Sequence, residues 1–151
     1  MRAVVQRVTR ASVSSRGSAV DDFEEVGRID AGMVVLVGAT HDDTESSADA
    51  LVAKLVGLRI FDDADGVMNV GAADAGAEFL IVSQFTLYGD TSRGRRPSWI
   101  AAARPEQAEP LVDRVVAGVR SSGARVATGR FRTEMRVDLV NDGPVTLIIE
   151  T

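Results

Sequence analysis

A chain of 151 residues, 45% hydrophobic and 26% charged, has the make-up of an ordinary globular protein rather than a disordered one. At this length about 68–70% of the unfolded surface can be buried round one core, so residues 1–151 are expected to form a single domain. The absence of cysteine excludes disulfides, thiolate metal sites and a cysteine nucleophile, and a lone histidine, His41 in the polar stretch Thr40–Thr44, cannot build a histidine-rich zinc site. No metal and no cofactor are expected.

The opening segment Arg2–Ser15, rich in Val, Thr and Ser, predicts a strand that bends or continues into a second. Arg16-Gly17-Ser18 is a turn signal, and an acidic loop follows it. Val26–Asp30 and Met33–Ala39 read as strands around Ala31-Gly32, the second apolar enough to be buried on both faces. Thr44 is placed to cap a helix whose apolar positions Ala48, Leu51, Val52, Leu55 and Leu58 follow the 3.6-residue period. Asp62, Asp63, Asp65 and Gly66 form a tight turn without the spacing of a calcium loop.

Phe79–Ser83 reads as a buried strand running into Gln84-Phe85-Thr86-Leu87, and Tyr88–Ser98, with two glycines, a proline and three arginines, as a long exposed loop. Pro105 suits the first position of a second helix; Pro110, a turn inside it, either delays the start or removes one hydrogen bond. Gly123 ends it, and Arg125–Thr128, Met135–Val140 and Val145–Glu150 are strand candidates, the last two joined by Asn141-Asp142-Gly143-Pro144. Strands dominate with two helices inserted, which predicts α/β architecture with mixed sheets rather than a repeating βαβ unit.

The apolar runs Met33–Ala39 and Phe79–Val82 fall far short of the roughly 20 residues that span a bilayer, and MRAVVQRVTR lacks an apolar signal core. The reading is cytoplasmic, with no membrane partner. A net charge of −5 argues against broad adhesion to nucleic acid. All but Lys54 of the 17 basic residues are arginines, however, and several are grouped: Arg2, Arg7 and Arg10; Arg93, Arg95 and Arg96; Arg130, Arg132 and Arg136. Either these lie on solvated faces or they make a local basic patch.

The sequence has no Gly-x-Gly-x-x-Gly, no Walker loop, no Gly-x-Ser-x-Gly elbow and no His-Glu-x-x-His, which disfavours nucleotide hydrolysis and a serine-hydrolase triad. Two turns remain. In SQFTL, Ser83–Leu87, an apolar strand suddenly presents Ser, Gln and Thr. Those hydroxyls, with amides the sheet no longer uses, either satisfy the end of the strand or hold a carbonyl oxygen on which negative charge develops. Gly143-Pro144 is the second; proline sits badly inside a sheet, and the default there is an ordinary turn or an edge.

SQFTL at 83–87 and NDGPVT at 141–146, with RAVVQRVTRASVS at the start, GLRIFDDADGVMN at 57–69, RRPS at 95–98 and TGRF at 128–131, resemble the D-aminoacyl-tRNA (D-tyrosyl-tRNA) deacylases in the same order along the whole chain. The resemblance implies mixed, mostly antiparallel sheets in a barrel-like ββα layered arrangement with two main helices. It also implies a cytoplasmic homodimer that binds tRNA and serves proofreading in translation quality control. D-aminoacyl-tRNA, and glycyl-tRNA with it, would be hydrolysed to free amino acid and tRNA.

By the same resemblance Gly143–Pro144 is a cis pair that reaches into the partner's site, where its carbonyls reject an L amino acid. Ser83, Gln84 and Phe85 line the site with Ala103 and Met135 near it, and the amides of Phe85 and Thr86 are the oxyanion donors. Arg7, Asn141 and Thr146 support the Gly-Pro turn, while Arg93, Arg95 and Arg96 face the tRNA backbone. Thr86 is also a candidate nucleophile, but no base accompanies it in the motif and an unactivated hydroxyl is a poor one. Water attack assisted by the neighbouring hydroxyl of the terminal ribose is the expected route. The alternative of another class is a non-catalytic, dimeric tRNA-binding module; a generic esterase using Ser83 or Thr86 is a third.

Overall fold

In chain order the computed structural model, which describes residues 1–151, has β1 (Arg2–Arg16), β2 (Glu24–Ile29), β3 (Gly32–Gly38), α1 (Glu45–Gly57), β4 (Phe61–Asp62), β5 (Met68–Val70), β6 (Glu78–Ser83), a 3-10 turn (Phe85–Tyr88), α2 (Pro105–Ser121), β7 (Val126–Thr128) and β8 (Glu134–Glu150). β1 uses both of its edges. On one it pairs antiparallel with β3 over Arg2–Val8 and with β2 over Ala11–Ser15; on the other it pairs with β8 from Arg2 to Arg16. β3–β6 and β6–β7 are parallel. Parallel neighbours cannot be joined by a tight turn, and each crossover here carries one helix, α1 after β3 and α2 after β6. The mixed, mostly antiparallel sheet with two main helices is as expected. Within that mixed sheet the middle of the chain makes two successive βαβ crossovers, from β3 through α1 to β6 and from β6 through α2 to β7.

The sheet separates two apolar clusters. Along β3 and β6 alternate residues point to opposite sides: Met33, Val35, Phe79 and Ile81 join Leu51, Leu55, Val115 and Val119 of the helices in one cluster. Val34, Leu80 and Val82 join Val8, Ala11, Val13 and Ile29 in the other, inside the curl of the sheet. The curl is nearly closed where β2 meets β7. A Cβ on Gly27 would lie 2.8 Å from the Thr128 carbonyl oxygen, so only glycine lets the two backbones approach this closely. α1 and α2 are clasped outside by Arg114, which donates to both Asp49 oxygens at 2.7 and 2.8 Å; those bonds hold the Asp49 carboxyl below its usual range. No helix is long and apolar enough to cross a membrane.

Two local expectations are corrected, and of the two readings of Pro110 the structure takes the one in which the helix loses a bond. The chain after Ser83 does not continue as strand, because Gln84 (φ −145°, ψ 82°) turns it into the 3-10 helix Phe85–Tyr88. α2 begins at Pro105 and keeps Pro110 inside it, giving up one bond on an exposed face. The segments around Asn141–Pro144 are not two strands joined by a turn but one strand, β8, that follows β1 throughout. Gln6 pairs with Thr146 and Val8 with Asn141, so the single residue Arg7 faces the four residues Asp142–Val145, which bulge out of the ladder.

Gly32 marks the tightest approach in the sheet, since a Cβ there would sit 1.9 Å from the Glu78 carbonyl oxygen. Gly32→Ala must force β3 from β6 and is expected to cost at least the roughly 1–3 kcal/mol of over-packing. Gly57→Ala, at a site with open space around it, should be neutral or stabilise by roughly 0.5 kcal/mol. Urea denaturation of both variants checks the contrast; equal midpoints would refute it.

Candidate active site

β3 and β6 end together, with Val37 opposite Ser83, and a cavity of about 640 Å³ opens at their carboxyl ends. That is where parallel strands release side chains and amides from the ladder. Its walls come from Val37–Ala39, Val82–Phe85, the segment Trp99–Pro105 with Ala108 and Val112 of α2, and the stretch from Phe131 to Val137.

One side of the cavity is Ser83–Phe85, which leads into the turn at Thr86. The Gln84 amide donates to the Val37 carbonyl at 2.7 Å, the last sheet-like bond before the chain turns. Gly38 makes room for this: a Cβ there would meet the Gln84 carbonyl oxygen at 2.9 Å and the side chains of Leu87 and Tyr88 at 3.3 Å. As the first residues of the 3-10 turn, Phe85 and Thr86 have amides with no carbonyl inside the turn to donate to. The Thr86 hydroxyl accepts a hydrogen bond from the Gln84 side-chain amide, and no carboxylate, amine or imidazole is bonded to it.

The mouth is aromatic. Phe85 is 57% exposed and meets Trp99 edge to face at 5.5 Å and 73°. Trp99 leads a strap fixed to the end of β3: the Ala103 amide donates to the Ala39 carbonyl at 2.9 Å, the Thr40 hydroxyl to the Ala101 carbonyl at 2.6 Å, and His41 Nε2 lies 2.7 Å from the Ile100 carbonyl. The only histidine is thus a tether rather than a proton carrier for the turn. Gly89 lies under the Trp99 ring, where a Cβ would come within 2.4 Å of it. Beside the strap, burial pushes the Tyr88 phenol up, the Asp43 carboxylate adds to the shift and Arg2 opposes it.

The Gly-Pro signature lies elsewhere. Gly143–Pro144 is cis, with Gly143 at φ 112°, and both residues are exposed. The bulge is held from below. Arg7, 7% exposed, donates from Nη1 to the Ile60 carbonyl at 2.8 Å and to Asp62 at 3.1 Å. Its Nε lies 3.0 Å from the Asp142 carboxylate, an ionic contact in which the N–H is not aimed at an oxygen. Its Nη2 would be 3.0 Å from a Cβ on Gly143. Asn141 donates to the carbonyls of Arg7 and Val145, both at 2.9 Å, and Thr146 accepts from Gln6 at 3.1 Å.

Of the residues singled out in the sequence, Ser83, Gln84, Phe85, Ala103 and Met135 line the cavity. Thr86 sits at the edge of the turn, and Arg7, Asn141, Gly143, Pro144 and Thr146 contribute nothing to this chain's own lining. Arg93, Arg95 and Arg96 lie on an exposed loop closed by reciprocal Asp90–Ser98 backbone bonds of 2.8 and 2.9 Å. Sequence reasoning missed Trp99, Arg104, Phe131 and Arg132 in the wall; the one available signal was the position of the single tryptophan directly after RRPS. No three His, Cys, Asp or Glu side chains converge as metal ligands.

A family model described as D-Tyr-tRNA(Tyr) deacylase matches residues 4–150. Relatives named D-aminoacyl-tRNA deacylase include those of Symbiobacterium thermophilum, 54% identical over all of this chain and 96% of the relative, and of Brevibacillus brevis, 52% identical over the whole of both chains. Among solved structures, one described as c-Myc DNA Unwinding Element Binding Protein superposes with a TM-score of 0.89 at 37% identity, over 100% of this chain and 99% of that one. Another, described as a probable eukaryotic D-amino acid tRNA deacylase, shares the fold with a TM-score of 0.76 at 18% identity, over 99% and 98%.

Proposed function

This chain belongs to the D-Tyr-tRNA(Tyr) deacylase family and is a hydrolase, a D-aminoacyl-tRNA deacylase; from that premise we propose that each working site is shared between two copies of it. The observation that carries the reading is the separation of the signatures: a cavity lined by Ser83–Phe85, and a braced, exposed Gly143–Pro144 bulge that takes no part in its lining. In a homodimer the bulge of one subunit completes the cavity of the other. Apolar side chains are exposed along β8, at Val137, Val140, Leu147 and Ile148, and a second copy would cover part of them.

In this reading the ester carbonyl lies against the amides of Phe85 and Thr86, which stabilise the developing oxyanion in an apolar cavity where such bonds are strong. The main-chain carbonyls of the partner's Gly-Pro pair meet the substrate amino group and occupy the space an L side chain would need. A wall made of backbone excludes one enantiomer whatever its side chain; glycine, with no side chain, passes. Water is the nucleophile, helped by the neighbouring ribose hydroxyl, because the Thr86 hydroxyl has an amide for a partner and no base. The arginines at 93, 95 and 96 give the acidic chain a local positive field for tRNA. The protein acts in the cytoplasm as a single-domain unit.

Purified protein is expected to release D-tyrosine and glycine from their tRNA esters and to leave L-tyrosyl-tRNA intact. Equal loss of the L ester would refute the backbone filter, and a folded dimer that binds tRNA without turnover would establish the binding-module alternative. Reversing Arg93, Arg95 and Arg96 should flatten the salt dependence of the D-tyrosyl reaction; an unmoved slope removes them from the tRNA surface. Thr86→Ala should keep activity within about tenfold of wild type. Abolished turnover with intact folding and binding would make the hydroxyl essential.

Shared sites also predict complementation. Gly143→Ala forces a side chain into a backbone conformation that suits glycine and against Arg7, and Phe85→Pro removes the amide donor while fitting the first position of a helical turn. Each variant alone should be inactive. Mixed under subunit exchange, half of the dimers are heterodimers with one intact site, so about a quarter of wild-type activity should return. Recovery of none, with exchange verified by mass spectrometry, would place each site within one chain.

A further inference from the structure

The cavity wall holds two charged side chains, Arg104 and Arg132, and no carboxylate, in a chain whose net charge is −5. Several arginines outside the cavity are matched by acids, among them Arg2 by Glu150, Arg16 by Glu134, Arg125 by Glu78 and Arg130 by Glu24. Arg10, Arg59, Arg120, Arg136 and the three of the 93–96 loop are not, and what sets Arg104 and Arg132 apart is their shared place in the cavity wall. Neither Arg104 nor Arg132 takes part in an ion pair or a side-chain hydrogen bond, and both are exposed. Their backbones, by contrast, are fixed. The Arg104 carbonyl accepts from the amides of Gln107 and Ala108 at 3.0 and 2.9 Å as α2 begins. Arg132 is the one non-glycine residue with positive φ, 59°, a conformation that disfavours a long side chain. The turn that imposes it is pinned by the Thr133 hydroxyl, which donates to the Arg130 carbonyl at 2.9 Å and lies 2.6 Å from the hydroxyl of buried Ser15.

Two unneutralised guanidinium groups on rigid backbone at the rim of one cavity suit an oxyanion with several acceptor oxygens. Resting on the deacylase reading above, we propose that Arg104 and Arg132 clamp the phosphodiester that joins the terminal nucleotide of tRNA to the one before it. That phosphate is one ribose away from the ester that the Ser83–Thr86 turn receives. The carboxylate of an acidic D-amino acid would offer the same chemistry, but the interior wall beyond the rim is apolar, with Val82, Val112 and Met135. The clamp therefore belongs to the part of the substrate that stays outside.

The test compares D-tyrosyl-tRNA with the D-tyrosyl ester of adenosine, which has no phosphodiester, using Arg104→Gln, Arg132→Asn and the double variant. Asparagine tolerates positive φ, so the turn is kept. In the double variant the ratio of kcat/KM on tRNA to that on the nucleoside ester should fall about tenfold, mainly through KM. The log–log salt slope of the tRNA reaction should flatten by about 0.7, the single-strand value for one phosphate. Arg132→Lys, which keeps the charge, should recover part of the loss. A ratio that stays at the wild-type value overturns the clamp alone, as does a loss confined to D-aspartyl-tRNA, which would assign the arginines to a substrate carboxylate. Wild-type protein inert on both esters overturns the deacylase reading and the clamp with it.

Discussion

β1 has both hydrogen-bonding edges filled over nearly all of its length, by β2 and β3 on one side and β8 on the other, and the positions of the two signature turns follow from that pairing. Because β3 is held at the Arg2–Val8 end of β1, its carboxyl end is fixed, and β6 in parallel register brings Ser83 beside Val37. Because β8 is paired on both sides of Arg7, the extra residues 142–145 have nowhere to go but outward. A buried guanidinium, bonded to Ile60 and Asp62 and packed against Gly143, turns that register defect into a rigid projection. Removing one partner from a buried charge is costly, so the bulge, the β4–β5 hairpin and β1 stand or fall together through Arg7.

This arrangement shapes the chemistry that one subunit can perform. Its own cavity has free amides at the start of a helical turn and an apolar wall, which are the means of stabilising a developing oxyanion. It has no paired base and no metal-ligating cluster, and so it lacks the means of activating a side-chain nucleophile. An aminoacyl ester is already reactive and carries a hydroxyl beside the scissile bond, so electrostatic stabilisation and orientation are the contributions that remain for the protein. Discrimination then becomes the harder task, and the proposed backbone wall from another subunit would need no knowledge of the side chain.

How far the sequence was legible varied with the kind of signal. The uninterrupted apolar run at Met33–Ala39 and the 3.6-residue stripe of α2 announced themselves because burial on two faces or on one stripe leaves a periodic trace. The single strand β8 did not, because Asn-Asp-Gly-Pro reads locally as a turn; only the register of a distant partner, β1, keeps both halves on one line. The turn residues Ser83, Gln84 and Phe85 were legible as polar intrusions at the end of an apolar strand, while Trp99, Phe131 and Arg132 reach the same cavity from remote segments. The positive φ of Arg132 leaves no mark at all in a sequence, since arginine is not a residue that advertises it.

The acidity of the chain, which argues against RNA as a partner, is resolved by where the charges stand rather than by how many there are. Carboxylates are paired with arginines along the outside of the sheet and between the helices. The arginines left without acids include those of the 93–96 loop and the two in the cavity wall, Arg104 and Arg132. Screening confines such local fields to about 8 Å at physiological ionic strength, so an overall charge of −5 spread over the rest of the surface weakens non-specific adhesion without cancelling attraction at the mouth. An enzyme with the proposed role, sampling many correctly charged tRNAs and holding none of them, would gain from that division. Weak long-range attraction keeps encounters short, and contact within a Debye length favours the one end of the molecule where the ester is.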